Sequence, residues 1–80
     1  MKQSDSDFKV TLEKALTCGK AIRQQRHGSH EIHKMVDDII IVEPYLGGRK
    51  LTNGKTYKSF DDWFTGEVIN CPDDDFEILI

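Results

Sequence analysis

The chain has 80 residues, a mass of 9.2 kDa, two cysteines and a net charge of −3 from 11 basic and 14 acidic side chains. One small domain is the ceiling, because a chain of this size buries only about 60–65% of its unfolded surface. The charge excludes a DNA-coating protein, which would be strongly basic. The longest apolar run, Ile39-Ile40-Ile41-Val42, is far short of the ~20 residues of a membrane-spanning helix. The amino terminus is polar and lacks the apolar core of a secretory leader. Cys18 and Cys71 form no CxxC pair or disulfide framework, so a reducing cytoplasm is the expected setting.

Residues 1–7 read as a flexible tail and 8–80 as a single domain. Asp5 and Ser6 are good N-cap residues, and Asp7 places a negative charge at a helix start. Phe8, Leu12, Ala15 and Leu16 share one helical face while Val10 and Thr11 fall off it, and Gly19 stands where a left-handed C-cap belongs. This predicts a helix over 7–18. Lys20–Gln25 alternates loosely and predicts a strand with Ile22 inward and Arg23 outward. Residues 26–34 have no clean period and read as a loop leading into a weak strand or turn, punctuated by Asp37 and Asp38. Ile39–Val42 is the strongest strand signal, β-branched and bounded by Asp38 and Pro44. Its continuous apolar run predicts a central strand covered on both faces.

Gly47-Gly48 then breaks the chain. Leu51–Tyr57 reads as a hairpin turning at Asn53-Gly54. Ser59 caps a second, short helix with Asp62 at its third position, Phe60 and Phe64 lie one turn apart, and Gly66 ends it. Glu67-Val68-Ile69 reads as a strand fragment and Cys71–Asp75 as an acidic turn. Phe76, Ile78 and Ile80 share one face of a closing strand. The order predicts an α+β domain: a small, mostly antiparallel sheet with an N-terminal helix and a second short helix.

Charge is unevenly spread. Residues 20–34 carry Lys20, Arg23, Arg26 and Lys34 against Glu31, a net +3. Residues 59–80 carry Asp61, Asp62, Glu67, Asp73, Asp74, Asp75 and Glu77 and no base, a net −7. The basic stretch is a candidate anion site, with arginines able to fork onto phosphates; solvated surface charge is the plainer reading. His27, His30 and His33 are spaced H-x-x-H-x-x-H, which matches no common zinc signature. On a strand His30 and His33 would point to opposite faces. They read as surface histidines able to donate to phosphate when charged, and neither metal nor cofactor is expected. No nucleophile–base pair stands out, Ser59 is explained as a cap, and Gly47-Gly48 lacks the GK[ST] of a phosphate loop. An enzyme is not expected. Tyr45 and Trp63 are candidates to stack on a nucleobase, with core packing the default for Trp63.

Phe8…Leu12…Ala15-Leu16, Gly19-Lys20-Ala21-Ile22-Arg23, Ile39–Val42, Asn53-Gly54-Lys55 and Asp74-Asp75-Phe76-Glu77-Ile78 follow one another in an order that resembles the second Thoeris anti-defence family. These are phage sponges for nucleotide immune signals, and some relatives are described as anti-CRISPR proteins. Gln25-Arg26-His27 stands where the family has a tryptophan, and Phe76 replaces its terminal tryptophan, which leaves the ligand's identity open. The resemblance implies a non-enzymatic homo-oligomer, acting in the cytoplasm of the bacterial host, that sequesters a cyclic nucleotide or cyclic ADP-ribose type signal without cleaving it. On this reading Lys20, Arg23, Arg26 and His27 hold the phosphates and Tyr45 stacks. The alternative is an acidic interaction protein that inhibits a host nuclease or CRISPR effector by direct binding through Asp73, Asp74 and Asp75. Net acidity argues against direct nucleic-acid binding.

Overall fold

The computed structural model describes residues 6–79. Helix α1 spans Ser6–Thr17 and buries Phe8, Leu12, Ala15 and Leu16, while Val10 stays 48% exposed off the stripe. It closes as a Schellman motif: the Lys20 amide donates to Ala15 O at 2.9 Å and the Gly19 amide to Leu16 O at 3.1 Å. Gly19 supplies the required left-handed backbone with φ +84. Ser6 and Asp7 lie inside the helix rather than in a tail, and the rest of the expected tail lies outside the described residues, as does Ile80.

A meander follows, with β1 at Ala21–Arg26, β2 at Ser29–Val36, β3 at Ile39–Leu46 and β4 at Arg49–Lys50. The turns are two residues long, joining Arg26 to Ser29, Val36 to Ile39 and Leu46 to Arg49. Both central residues are left-handed at Asp37 (φ 52) and Asp38 (φ 66), and again at Gly47 (φ 58) and Gly48 (φ 80). That geometry matches the right-handed twist of the strands it connects.

Three expectations are corrected here. Residues 29–36 form a full strand rather than a loop. The alternation was hidden because its inward positions include Glu31 and His33, which are polar. Asn53-Gly54 does not close a hairpin; the turn is at Gly47-Gly48. The segment after it detours before β5 (Lys55–Tyr57) returns to the same edge of β3. Finally, β3 is covered on one face only: Ile40 and Val42 are buried, but Ile39 is 40% exposed.

Helix α2 spans Phe60–Trp63, with the Ser59 side chain accepting from the Asp62 amide at 3.1 Å as predicted. It does not stop at Gly66. It widens into a π-helical segment, Phe64–Ile69, so Glu67 and Val68 are helical and buried rather than in a strand. Strand β6 (Asp75–Leu79) closes the chain against β1. The sheet has six strands in the order β4-β3-β2-β1-β6 with β5 also on β3, and every pairing is antiparallel. The α+β class is as expected. The core lies between one sheet face and the helices, around Leu12, Leu16, Ile22, Ile40, Trp63 and Val68. Among the described residues no helix is long and apolar enough to cross a membrane.

Candidate functional site

The predicted ligand residues do not share one surface. Strand alternation sends Arg23 to the open sheet face and Arg26 to the helix-covered face. Arg23 pairs with Glu77. The Arg26 guanidinium donates from Nε to Asp74 Oδ2 at 2.9 Å and from Nη2 to Cys71 Sγ at 3.5 Å. It also ion-pairs with Glu31 at 3.2 Å and lies 4.0 Å from Glu67. His27 is exposed in the β1–β2 turn, and Lys20 is exposed between α1 and β1. Tyr45 lies half-buried on the open face, its ring stacked on His30 with centroids 5.0 Å apart. Of the predicted acidic patch, Asp73 and Asp75 are exposed, whereas Asp74 binds Arg26 and accepts from Gln24 Nε2 at 2.7 Å. The three histidines are dispersed, one to a turn and the other two to opposite faces of β2.

Two sites do assemble. The first is a groove of about 490 Å³ at the edge of β3, where the chain passes between β4 and β5. Its origin is local. Pro44 has no amide hydrogen, and β4 pairs at Tyr45 and Leu46 while β5 pairs at Ile40–Val42. The edge is therefore unpaired at Glu43 and Pro44, and residues 51–54 arch over the gap, anchored by the Leu51 amide donating to Pro44 O at 2.8 Å. Gly54 allows that approach, since a Cβ there would stand 2.9 Å from Val42 O. Ile41, Pro44 and Leu51 supply the apolar lining; Thr52, Thr56, Lys50 and Lys55 supply donors. Glu43 accepts from Lys50 at 2.7 Å and from Lys34 at 3.2 Å. The hydrogen bond from Lys50 is the main reason its carboxyl sits below the ordinary carboxylate range.

The second site lies on the covered sheet face. Gln24, Glu31, His33 and Glu67 are all buried there, with Arg26, Lys55 and Tyr57 around them. The Trp63 indole donates to His33 Nδ1 at 2.8 Å, and the Tyr57 hydroxyl donates to Glu67. Burial, then the charges of Arg26 and Lys55, push the His33 ring down to about 3, so it is neutral at physiological pH. Burial raises Glu31, against the opposing pull of Arg26. Burial and then the hydrogen bond to Glu67 raise the Tyr57 hydroxyl.

Reading the sequence did not find this cluster. Its signal is that Gln24 and Arg26 are two apart in β1, Glu31 and His33 are two apart in β2, and the register sets Gln24 opposite Glu31. Glu67 adds itself only through the π-helical turn. Comparison with protein-family models, with curated proteins and with solved structures finds no match to this chain.

Proposed function

We propose that the chain is a non-catalytic binding protein that captures a small nucleotide-derived signal, of the cyclic nucleotide or cyclic ADP-ribose type, without cleaving it. The groove beside β3 is the ligand site in this reading. The observation that carries it is the composition of that groove: about 490 Å³, an apolar lining, two lysines and two threonine hydroxyls. A cavity of this size suits a small organic ligand, with a few placed polar groups to orient it. Lys50 and Lys55 meet the phosphates, Glu43 accepts from ribose hydroxyls or an exocyclic amine, and Tyr45, opposite Lys50 in the β3–β4 register, offers a stacking face. Lys50 and Lys55 are paired with Glu43 and Glu67 yet more than half exposed at the groove, whereas Arg26 is held among carboxylates on the covered face, so phosphate recognition passes to these lysines in this reading. Phage origin, the host cytoplasm and a homo-oligomer belong to the same proposal through the family resemblance.

The test is capture and release. The protein is incubated with a panel of cyclic dinucleotides, cyclic mononucleotides and cyclic ADP-ribose isomers, freed of unbound ligand and heat-denatured, and the supernatant is read by mass spectrometry. Recovery of one intact nucleotide, lost in Lys50→Ala/Lys55→Ala, is expected. Recovery of none across the panel, or of an altered one, counts against the proposal.

The exposure of Asp73 and Asp75 on the turn before β6 favours a second reading, inhibition of a host nuclease or CRISPR effector by direct contact. Asp73→Asn/Asp75→Asn would then abolish a stoichiometric pull-down partner while leaving nucleotide capture intact.

A further inference from the structure

Both helices cover the same face of the sheet, the one that buries Ile22, Ile40 and Val42. No described element packs on the other. A solvated antiparallel face ordinarily turns polar residues outward. This one carries Val36 and Ile39, 43% and 40% exposed and side by side at the β2–β3 turn, with Ile32, Ile41 and Tyr45 behind them. Apolar side chains running through the middle of an open face mark a contact surface.

The polar residues of the face say what covers it. Strand β2 is the centre of the order β4-β3-β2-β1-β6. The register sets Glu77, Arg23, Ile32 and Glu43 in one row across the strands. Asp75, Gln25, His30, Tyr45 and Lys50 form the next row. A two-fold axis running along β2, between two sheets packed face to face, keeps each row and reverses its order. Strand β1 then lies over the partner's β3, and β6 over the partner's β4. Arg23 meets the partner's Glu43, Asp75 meets the partner's Lys50, and Ile32 meets its own copy on the axis. Symmetry makes each of these charge contacts twice.

Arg23 and Glu43 keep their own-chain partners, so the contact extends existing ion pairs into a network instead of breaking them. Lys34 and His30 also fall on the axis. Glu43 at 3.2 Å draws Lys34 aside, and the stack on Tyr45 holds His30 aside. The usual angle of about 30° between aligned sheets displaces the edge strands by about 5 Å, which a lysine side chain spans. Five strand positions about 4.8 Å apart and about 17 Å long outline roughly 400 Å² per copy, and the pleated face has more accessible surface than its outline. The two faces together reach the ~1,000–1,200 Å² at which specific interfaces begin. We infer that the open sheet face binds a second copy of the chain about a two-fold axis along β2, with Arg23 on the partner's Glu43 and Asp75 on the partner's Lys50. This interface is independent of the nucleotide reading.

The test is sedimentation of the full chain over a concentration series, without nucleotide, so that it succeeds or fails separately from ligand capture. The wild type is expected to dimerise. Arg23→Glu and Glu43→Arg each set like charges at both symmetric contacts and are expected to weaken the dimer about tenfold or more. Mixed together, the two variants set opposite charges at both contacts, and a heterodimer is expected in preference to either homodimer. A wild type that stays monomeric up to about 1 mM overturns the inference. Folded variants that dimerise as well as the wild type, or a mixture that forms no heterodimer, also overturn it. Should circular dichroism show that either variant does not fold, isotope-filtered NMR of mixed labelled and unlabelled wild type decides. Contacts from Ile32 to its own copy are expected there, and a dimer without them overturns the inference.

Discussion

Acidification from pH 7 to pH 5 is a direct probe of His33. In the folded chain the ring faces Arg26 from β1, Glu31 from β2, Lys55 from β5, and Trp63 and Glu67 from the helical segment. It gains its proton only near pH 3, against an ordinary value of 6.5. The unfolded chain takes up that proton as pH falls through 6.5 and the folded chain does not, so acid favours unfolding across the window from 6.5 down to 3. By linkage the loss from pH 7 to pH 5 is about 2 kcal/mol. Glu31 works the other way. Its folded value is raised, so the stability it contributes is present at low pH and lost as pH rises through that folded value. His33→Gln separates the two, because a glutamine carbonyl can still accept from the Trp63 indole but does not titrate. Urea unfolding of both proteins at several pH values is the assay. The wild type should lose about 2 kcal/mol more than His33→Gln between pH 7 and pH 5. Equal slopes, or a His33 ring titrating near its ordinary value by NMR, would refute the reasoning.

Three further predictions concern the scaffold. Gly54→Ala forces a Cβ to 2.9 Å from Val42 O; a loss of about 1–3 kcal/mol is expected in denaturant unfolding, with ligand capture by the groove weakened alongside. Arg26→Met leaves Glu31 and Asp74 without their guanidinium; because Arg26 is 36% exposed, solvent screening trims the expected cost to about 1–2 kcal/mol. That cost should shrink on acidification as the carboxylates protonate, which urea unfolding at two pH values would read out. Ser59→Ala removes the acceptor of the Asp62 amide and should cost about 1 kcal/mol in thermal or denaturant unfolding while leaving the sheet's hydrogen-exchange protection intact.

The scaffold was legible in the sequence wherever apolar periodicity or cap chemistry was local. The stripe from Phe8 to Leu16, the glycine cap at Gly19, the Ser59 cap and the shared face of Phe76 and Ile78 all depend on residues within two turns of one another. The failures have a common physical cause. Strand β2 buries Glu31 and His33, so a rule that equates inward with apolar reads it as a loop. The Asn53-Gly54 pair carries good turn chemistry, but with no strand long enough on its amino side it bridges a gap beside Pro44 instead. The run through Phe64–Ile69 stays helical because Gly66 packs close to the Tyr57 ring, where a Cβ would lie 3.0 Å from it, and Glu67 and Val68 find buried partners. Tertiary packing outweighs the preference of Gly66 for a helix end.

The segregated charge in the sequence also takes a different meaning in the fold. Because β6 lies antiparallel to β1, the basic stretch and the acidic segment become neighbours. Arg23 meets Glu77 across the open face, and Arg26 meets Asp74 and the buried glutamates on the other. Charges far apart along the chain are thereby spent on strand pairing and on neutralising Glu31 and Glu67, which would be costly to bury alone. A phosphate approaching Arg26 would have to displace Asp74 and leave Glu31 less compensated in a desolvated setting, a loss that surface phosphate contacts do not recover. Lys50 and Lys55 are also paired, with Glu43 at 2.7 Å and Glu67 at 3.6 Å, but both are more than half exposed at the opposite edge, where solvent can screen a rearrangement. The basic stretch that looked like a ligand site is therefore better understood as the partner of β6.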